Sequence, residues 1–148
     1  MKLSAKGRYG LRAMLDLAIY SSEDHVSLYS IAERQNISEN YLEQVFSILR
    51  KARLVKSVKG AQGGYSLADS PYNIKVGAIL RALEGNLSIV DEEVDSISPE
   101  MILQNCIKIN VWDKMNESLN QVVDSVSLED LMNEYKKMSG KETIMYFI

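Results

Sequence analysis

Four polar residues in one short segment, Asn40, Glu43, Gln44 and Ser47, carry side chains that can address the edges of DNA bases. Asn and Gln pair with adenine through two hydrogen bonds, and Glu accepts from the amino group of cytosine. Interleaved with them are Leu42, Val45, Phe46 and Leu49, at the i, i+3, i+4, i+7 spacing of a buried helix face. In that register the polar set projects outward together, either to read bases or as ordinary solvated surface. Lys6, Arg8, Arg12, Arg50, Lys51, Lys56 and Lys59 surround the segment in sequence and suit backbone phosphates.

Other reactive side chains are sparse. A single cysteine, Cys106, excludes an internal disulfide and cannot alone hold zinc or an iron-sulfur cluster. It reads as a small buried apolar residue, the alternative being a redox site, which would require an exposed thiol of lowered pKa. The single histidine, His25, stands beside Glu23 and Asp24 and reads as a surface loop residue. With no third member to complete a catalytic set, the chain is not expected to be an enzyme. The acidic run Asp91, Glu92, Glu93 and Asp95 reads as a solvated loop rather than a metal site.

The chain has 148 residues, 46% apolar and 25% charged, enough for one ordinary globular unit. It has neither an apolar run of about 18 residues nor the pattern of a secretory signal, so a cytoplasmic location is expected. The net charge of -3 hides a division. Residues 1–66 carry ten Lys and Arg against six Asp and Glu, a net of +4, whereas residues 67–148 carry seven against fourteen, a net of -7. A basic first part joined to an acidic second part suggests two different partners, nucleic acid being the usual one for the basic part.

These residues need elements to position them, and the periodicity is mainly helical. Leu11, Leu15, Ala18 and Ile19 mark a helix from about Lys6 to Tyr20, with Gly7 and Gly10 weakening its first turns. Ser27 caps a short helix from Leu28 to about Gln35, Asn36 turns the chain, and Ser38 caps the next helix to about Ala52. Residues 54–59 and 65–67 flank Gly60-Ala61-Gln62-Gly63-Gly64 and predict a β-hairpin. No Lys-Ser/Thr pair follows those glycines, which argues against a phosphate-cradling loop. A helix from about Ile74 to Glu84 ends at Gly85.

After an irregular stretch over residues 86–98, Pro99 opens a long amphipathic helix bearing Val111, Met115, Leu119, Val122 and Val126. That stripe could be internal core, but in a chain this small it is rather expected to pack against its own copy. Ser127 and Asp130 form a capping box for a last helix from Leu128 to about Met138, stopped by Ser139-Gly140, before an apolar tail over residues 144–148. The expected architecture is mainly α with a small β-hairpin: a winged helix-turn-helix DNA-binding domain over 1–85, then an acidic loop, dimerisation helix and tail over 86–148.

Four spaced motifs also carry a family resemblance: Lys6-Gly7-Arg8-Tyr9-Gly10, Ser38-x-x-Tyr41-Leu42-Glu43-Gln44, Gly60-x-x-Gly63-Gly64-Tyr65-x-Leu67 and Leu83-Glu84-Gly85. Over nearly its whole length the chain resembles the Rrf-type family of bacterial winged-helix regulators. The resemblance implies a homodimer on near-palindromic operator DNA. Contacts would come from Lys6 and Tyr9, from Ser38, Asn40, Tyr41, Glu43 and Gln44 on the recognition helix, and from Lys59, Gly60, Gln62, Gly63 and Gly64 in the wing. Cluster-binding members place three cysteines six residues apart, the last one six before a tryptophan. Cys106 stands six before Trp112, but the two earlier positions are Glu100 and Val94, and the family's histidine position is Ile109. Glu100 could ligate iron, whereas Val94 and Ile109 cannot, so no metal or cofactor is expected.

Within the family the resemblance is strongest to cluster-free repressors of cysteine metabolism, which share the aromatic tail ending in isoleucine. Those proteins act with cysteine synthase, whose active site also accepts the C-terminal isoleucine of serine acetyltransferase. This implies Tyr146, Phe147 and Ile148 as a partner-binding tail, with Ile148 its anchor. The alternative for the tail is folding back on the dimer. The alternatives for the chain are a cluster-free regulator answering to another redox or metabolite signal, or a winged-helix interaction module without a DNA site.

Overall fold

The computed structural model describes residues 2–21, 24–94 and 98–146, the side chains of 141–146 excepted. Helix α1 (Ala5–Tyr20) begins at Ser4, and its first turn is held by a side chain from far along the chain. The Glu84 carboxylate accepts from the backbone N–H of Ser4 at 3.1 Å and of Gly7 at 3.0 Å, placing negative charge on the helix N-terminus. Gly7 and Gly10 make this approach possible. A Cβ on Gly7 would lie 2.4 Å from Glu84 Oε1, and one on Gly10 would lie 2.2 Å from Leu83 Cδ1. The glycines expected to weaken the helix are therefore what lets Leu83 and Glu84 dock on it.

Helix α2 (Leu28–Gln35) is capped by the Ser27 hydroxyl, which accepts from Ser30 N at 3.2 Å. Asn36 turns the chain in the left-handed region at φ 53°. Helix α3 (Glu39–Lys51) follows, its first turn capped by Ser38, whose hydroxyl accepts from Tyr41 N at 3.2 Å. Leu42, Val45, Phe46 and Leu49 are all buried and pack with Ala13, Met14 and Leu17 of α1 and Ile31 of α2. Strands β1 (Val55–Val58) and β2 (Gly64–Leu67) pair antiparallel, with Val55 opposite Leu67 and Val58 opposite Gly64. Val26 adds a one-residue third strand, exchanging two 2.8 Å backbone hydrogen bonds with Tyr65.

A single 3-10 turn (Pro71–Asn73) precedes helix α4 (Val76–Glu84), so the helix expected from Ile74 begins two residues later. Gly85 ends it at φ 82°, as its position predicts. Helix α5 (Pro99–Ile107) runs without a break through a π-helical segment (Lys108–Trp112) into α6 (Asp113–Ser125). Ser127 and Asp130 cap each other reciprocally, at 2.9 and 3.0 Å, at the start of α7 (Leu128–Tyr146). Contrary to expectation α7 does not stop at Met138. Ser139 and Gly140 continue it, because Gly140 keeps a negative φ rather than turning left-handed, and no proline follows.

The second part of the chain completes the core of the first. Leu128 is fully buried beside Ile74, Ile79 and Leu83, and Val123 packs with Val76, Leu80 and Leu87. Val76 N donates to Val126 O and Leu128 N to Ile74 O, each at 2.9 Å. Arg81 of α4 forks onto Asp124 of α6 at 2.7 and 2.8 Å and reaches Asn120. Asn116 holds the loop after α4 by accepting from Ile89 N at 2.7 Å.

Candidate nucleic-acid interface

Asn40, Glu43, Gln44 and Ser47 line one shallow groove along α3, opposite its buried face. The first three are exposed and Ser47 is half-buried. A second groove runs between α3 and the hairpin, with Glu43, Ser47 and Arg50 on one wall and Ser57, Val58, Gly63 and Gly64 on the other. Tyr29, at the start of α2, borders that groove and is 61% exposed. The sequence reading did not single out Tyr29. An aromatic at the first turn of a capped helix, beside a helix with an exposed polar face, is the available signal.

At the N-terminal end of α3 the structure gathers residues from two motifs. The Tyr41 ring meets the Tyr9 ring edge-on at 6.1 Å, and the guanidinium groups of Arg8 and Arg12 lie 5.6 and 5.0 Å from the Tyr9 centroid. Lys6 is exposed one turn earlier on α1. Arg12 also donates to the Gln35 carbonyl at 3.0 Å, where a cation favours the end of α2. The Ser38 hydroxyl accepts in the cap and, among the described residues, its own hydrogen has no acceptor, leaving it available to a phosphate.

In the wing, Lys59 and Gln62 are exposed, and Gly60 has φ 124°, a conformation costly for any other residue. A Cβ on Gly63 would lie 2.5 Å from Val58 O, and one on Gly64 would lie 2.3 Å from Val26 O. His25 lies in a loop, as expected, and is tied down there. Its side chain is only 25% exposed, with Nδ1 at 2.9 Å from Asp24 Oδ1 and Nε2 against the Gln62 carbonyl oxygen. The Val26–Tyr65 bridge draws this segment onto the wing, and one bridging residue leaves no strand pattern in the sequence.

A family model described as "Iron-dependent Transcriptional regulator", Rrf2, matches residues 3–134. The chain belongs to the Rrf2 family. Over all 148 residues it is 45% identical to the full length of the HTH-type transcriptional regulator CymR of Bacillus subtilis. It is 40% identical to the regulator IscR of Aliivibrio salmonicida, covering 97% of this chain and 86% of that one. The solved structure of B. subtilis CymR, titled the global cysteine regulator, matches with a TM-score of 0.76 over 90% of this chain and 98% of its own. These members of the Rrf2 family are transcriptional regulators, and so is this chain: a DNA-binding winged-helix protein.

The iron in the Rrf2 description does not fit the residues present. Among the described residues no group of three His, Cys, Asp or Glu side chains could hold a metal ion. Glu100 and Cys106 lie on one helix, six residues or about 9 Å of axial rise apart. Val94 and Ile109 offer no donor atom. Cys106 itself departs from expectation: it is exposed rather than buried, because α5 and the π segment bury no residue. Asn110 Nδ2 donates to the Cys106 carbonyl at 2.8 Å and lies 3.8 Å from its Sγ.

The stripe expected on the long helix divides. Val111, Met115 and Val122 are exposed, whereas Leu119 and Val126 pack against the Val76–Leu80–Leu87–Val123 cluster of the same chain. At about 100° per residue the stripe is about 80° wide, and its Leu119 edge turns toward α4. Of the tail residues, Tyr146 ends α7 with its side chain undescribed, and Phe147 and Ile148 lie outside the described residues.

Proposed function

We propose that this protein is a homodimeric repressor of cysteine and sulfur metabolism genes. Identity of 45% to CymR over the full length of both chains carries the reading. Asn40, Glu43 and Gln44 address base edges in the major groove, while Ser38, Tyr41, Lys6, Tyr9 and the wing residues Lys59, Gly60, Gln62, Gly63 and Gly64 set the register on the backbone. Their placement on one capped helix, one aromatic-basic junction and one glycine-tight hairpin supports this. Val111, Met115 and Val122, on the same continuous helix as the exposed Ile102, Leu103 and Ile107, form apolar surface that a second copy covers. Cysteine synthase serves as corepressor, with Tyr146 and Phe147 flanking Ile148 as the residue it captures.

Footprinting on upstream regions of cysteine-metabolism genes tests this. Protection of a symmetric site of about two helical turns is the expected result. Added cysteine synthase should lower the protein concentration needed for protection, and a chain ending at Phe147 should lose that gain. Absent or sequence-independent protection would leave an interaction module without a DNA site, and a gain unaffected by the truncation would exclude the tail.

A further inference from the structure

A cavity of about 420 Å³ opens between α1, α2 and α7 and shares no lining residue with either groove at the DNA-reading face. Its floor is one face of α1, where Arg12, Leu15 and Ile19 recur at helical spacing. Leu15 and Ile19 are half-buried there. Tyr20 and Arg34 form one wall, with the guanidinium stacked 3.9 Å from the ring centroid. Tyr135 closes the other side. It stands one helical turn beyond Leu131 and Met132, which pack on the core.

The charges in this cavity do not cancel. Asp16 is buried, and its carboxylate accepts from Arg34 at 2.8–3.3 Å and from Gln35 Nε2 at 2.7 Å, so it balances one guanidinium. Among the described residues Arg12 is left unbalanced, its one hydrogen bond going to a backbone carbonyl. Among the described residues, Nη1 of Arg34 and Nε and Nη1 of Arg12 form no hydrogen bond. The cavity thus combines one net positive charge, unspent planar N–H donors, two tyrosine rings and two aliphatic side chains. Guanidinium forks match carboxylates, and rings with aliphatic walls match a flat apolar body.

We propose that this cavity binds a small aromatic carboxylate as an effector. Its route to the reading face is short. Arg12 packs on Tyr9, which touches Tyr41 of α3, and holds the last carbonyl of α2, one residue before the turn into α3. A carboxylate bound by Arg12 competes for the guanidinium that makes both contacts. The coupling rests on the DNA-binding reading above, whereas the site itself does not.

Calorimetric titration of the full chain with 4-hydroxyphenylacetate tests the site. Saturable binding at one ligand per chain is expected, weakened by about tenfold or more in Ile19→Trp, which fills the cavity, and in Tyr135→Ala, which removes an exposed wall. Thermal melting of both variants verifies that they fold. No saturable binding, or binding undiminished in a folded variant, overturns the site. In a second arm, saturating ligand should change duplex affinity by about fivefold or more, measured by fluorescence anisotropy. Unchanged affinity overturns the effector role. Failure to bind any duplex overturns the DNA reading and the coupling together, while the calorimetry still decides the site.

Discussion

Two glycines show how much a missing Cβ can do and how differently. Gly64 lets the Val26 backbone close on β2, and a Cβ there would sit 2.3 Å from a carbonyl oxygen that is itself hydrogen-bonded in the wing. Gly64→Ala must push backbone apart, so we expect it to destabilise by about 1–3 kcal/mol. Among the described residues nothing lies near the Cβ position of Gly140, which sits inside α7. Gly140→Ala should therefore stabilise by up to about 1 kcal/mol through helix propensity alone. Urea unfolding of the two variants measures both, and equal shifts of the same sign would contradict the assignment. In sequence the two glycines look alike, one reading as a turn and the other as a stop. Gly64 was legible as part of a wing, but the carbonyl that forbids its substitution comes from a segment some forty residues earlier. Gly140 was misread because a helix stop needs a left-handed residue, and φ is not written in composition.

Elements were most legible where local chemistry decides them. Ser27, Ser38, Ser127 with Asp130, and Gly85 each cap a helix at the position its residue type predicts, because caps are satisfied within a few residues. What joins elements was not legible, since it depends on partners brought together only by the fold. Glu84 on the start of α1 and Arg81 on Asp124 are of this kind. Cys106 was misjudged for the same reason: a cysteine's ordinary burial presumes a helix that packs within its own chain, and α5 does not. The joints have a pH signature. Arg81 holds the Asp124 carboxyl below the usual range, and the Ser127 N–H and hydroxyl do the same for Asp130. A lowered folded pKa means that stability is fully present above the unfolded value, about 3.9, and is lost as pH falls through the folded value. The urea midpoint should therefore drop on acidification from about pH 5. Asp124→Asn should begin lower and lose less, and acid curves that run parallel for the two proteins would rule out this carboxylate as a contributor.

At the scale of the molecule the net charge of -3 describes two unlike surfaces, a basic part of +4 and an acidic part of -7. A head of +4 is a weak polyanion binder alone, and the dimer proposed above would place two such heads on one duplex. The α5–α6 rod carries the means, with Ile102, Leu103 and Val122 each more than 60% exposed. Leu119 and Val126 already pack on α4 of the same chain, so the rod is fixed to its own head while its outer edge stays available. A charge on that edge should separate dimerisation from folding. Val122→Asp leaves every described core contact in place but opposes burial of the apolar face, and sedimentation velocity should show it shifted from dimer toward monomer with its helical content retained. Because the salt dependence of DNA binding scales with the number of phosphates neutralised, the slope of log affinity against log salt should fall to roughly half in the monomer. A variant that stays dimeric would move the interface off Val122. One that turns monomeric with an unchanged slope would mean that a single head already makes all the phosphate contacts, and the acidic part would then have no role in pairing the heads.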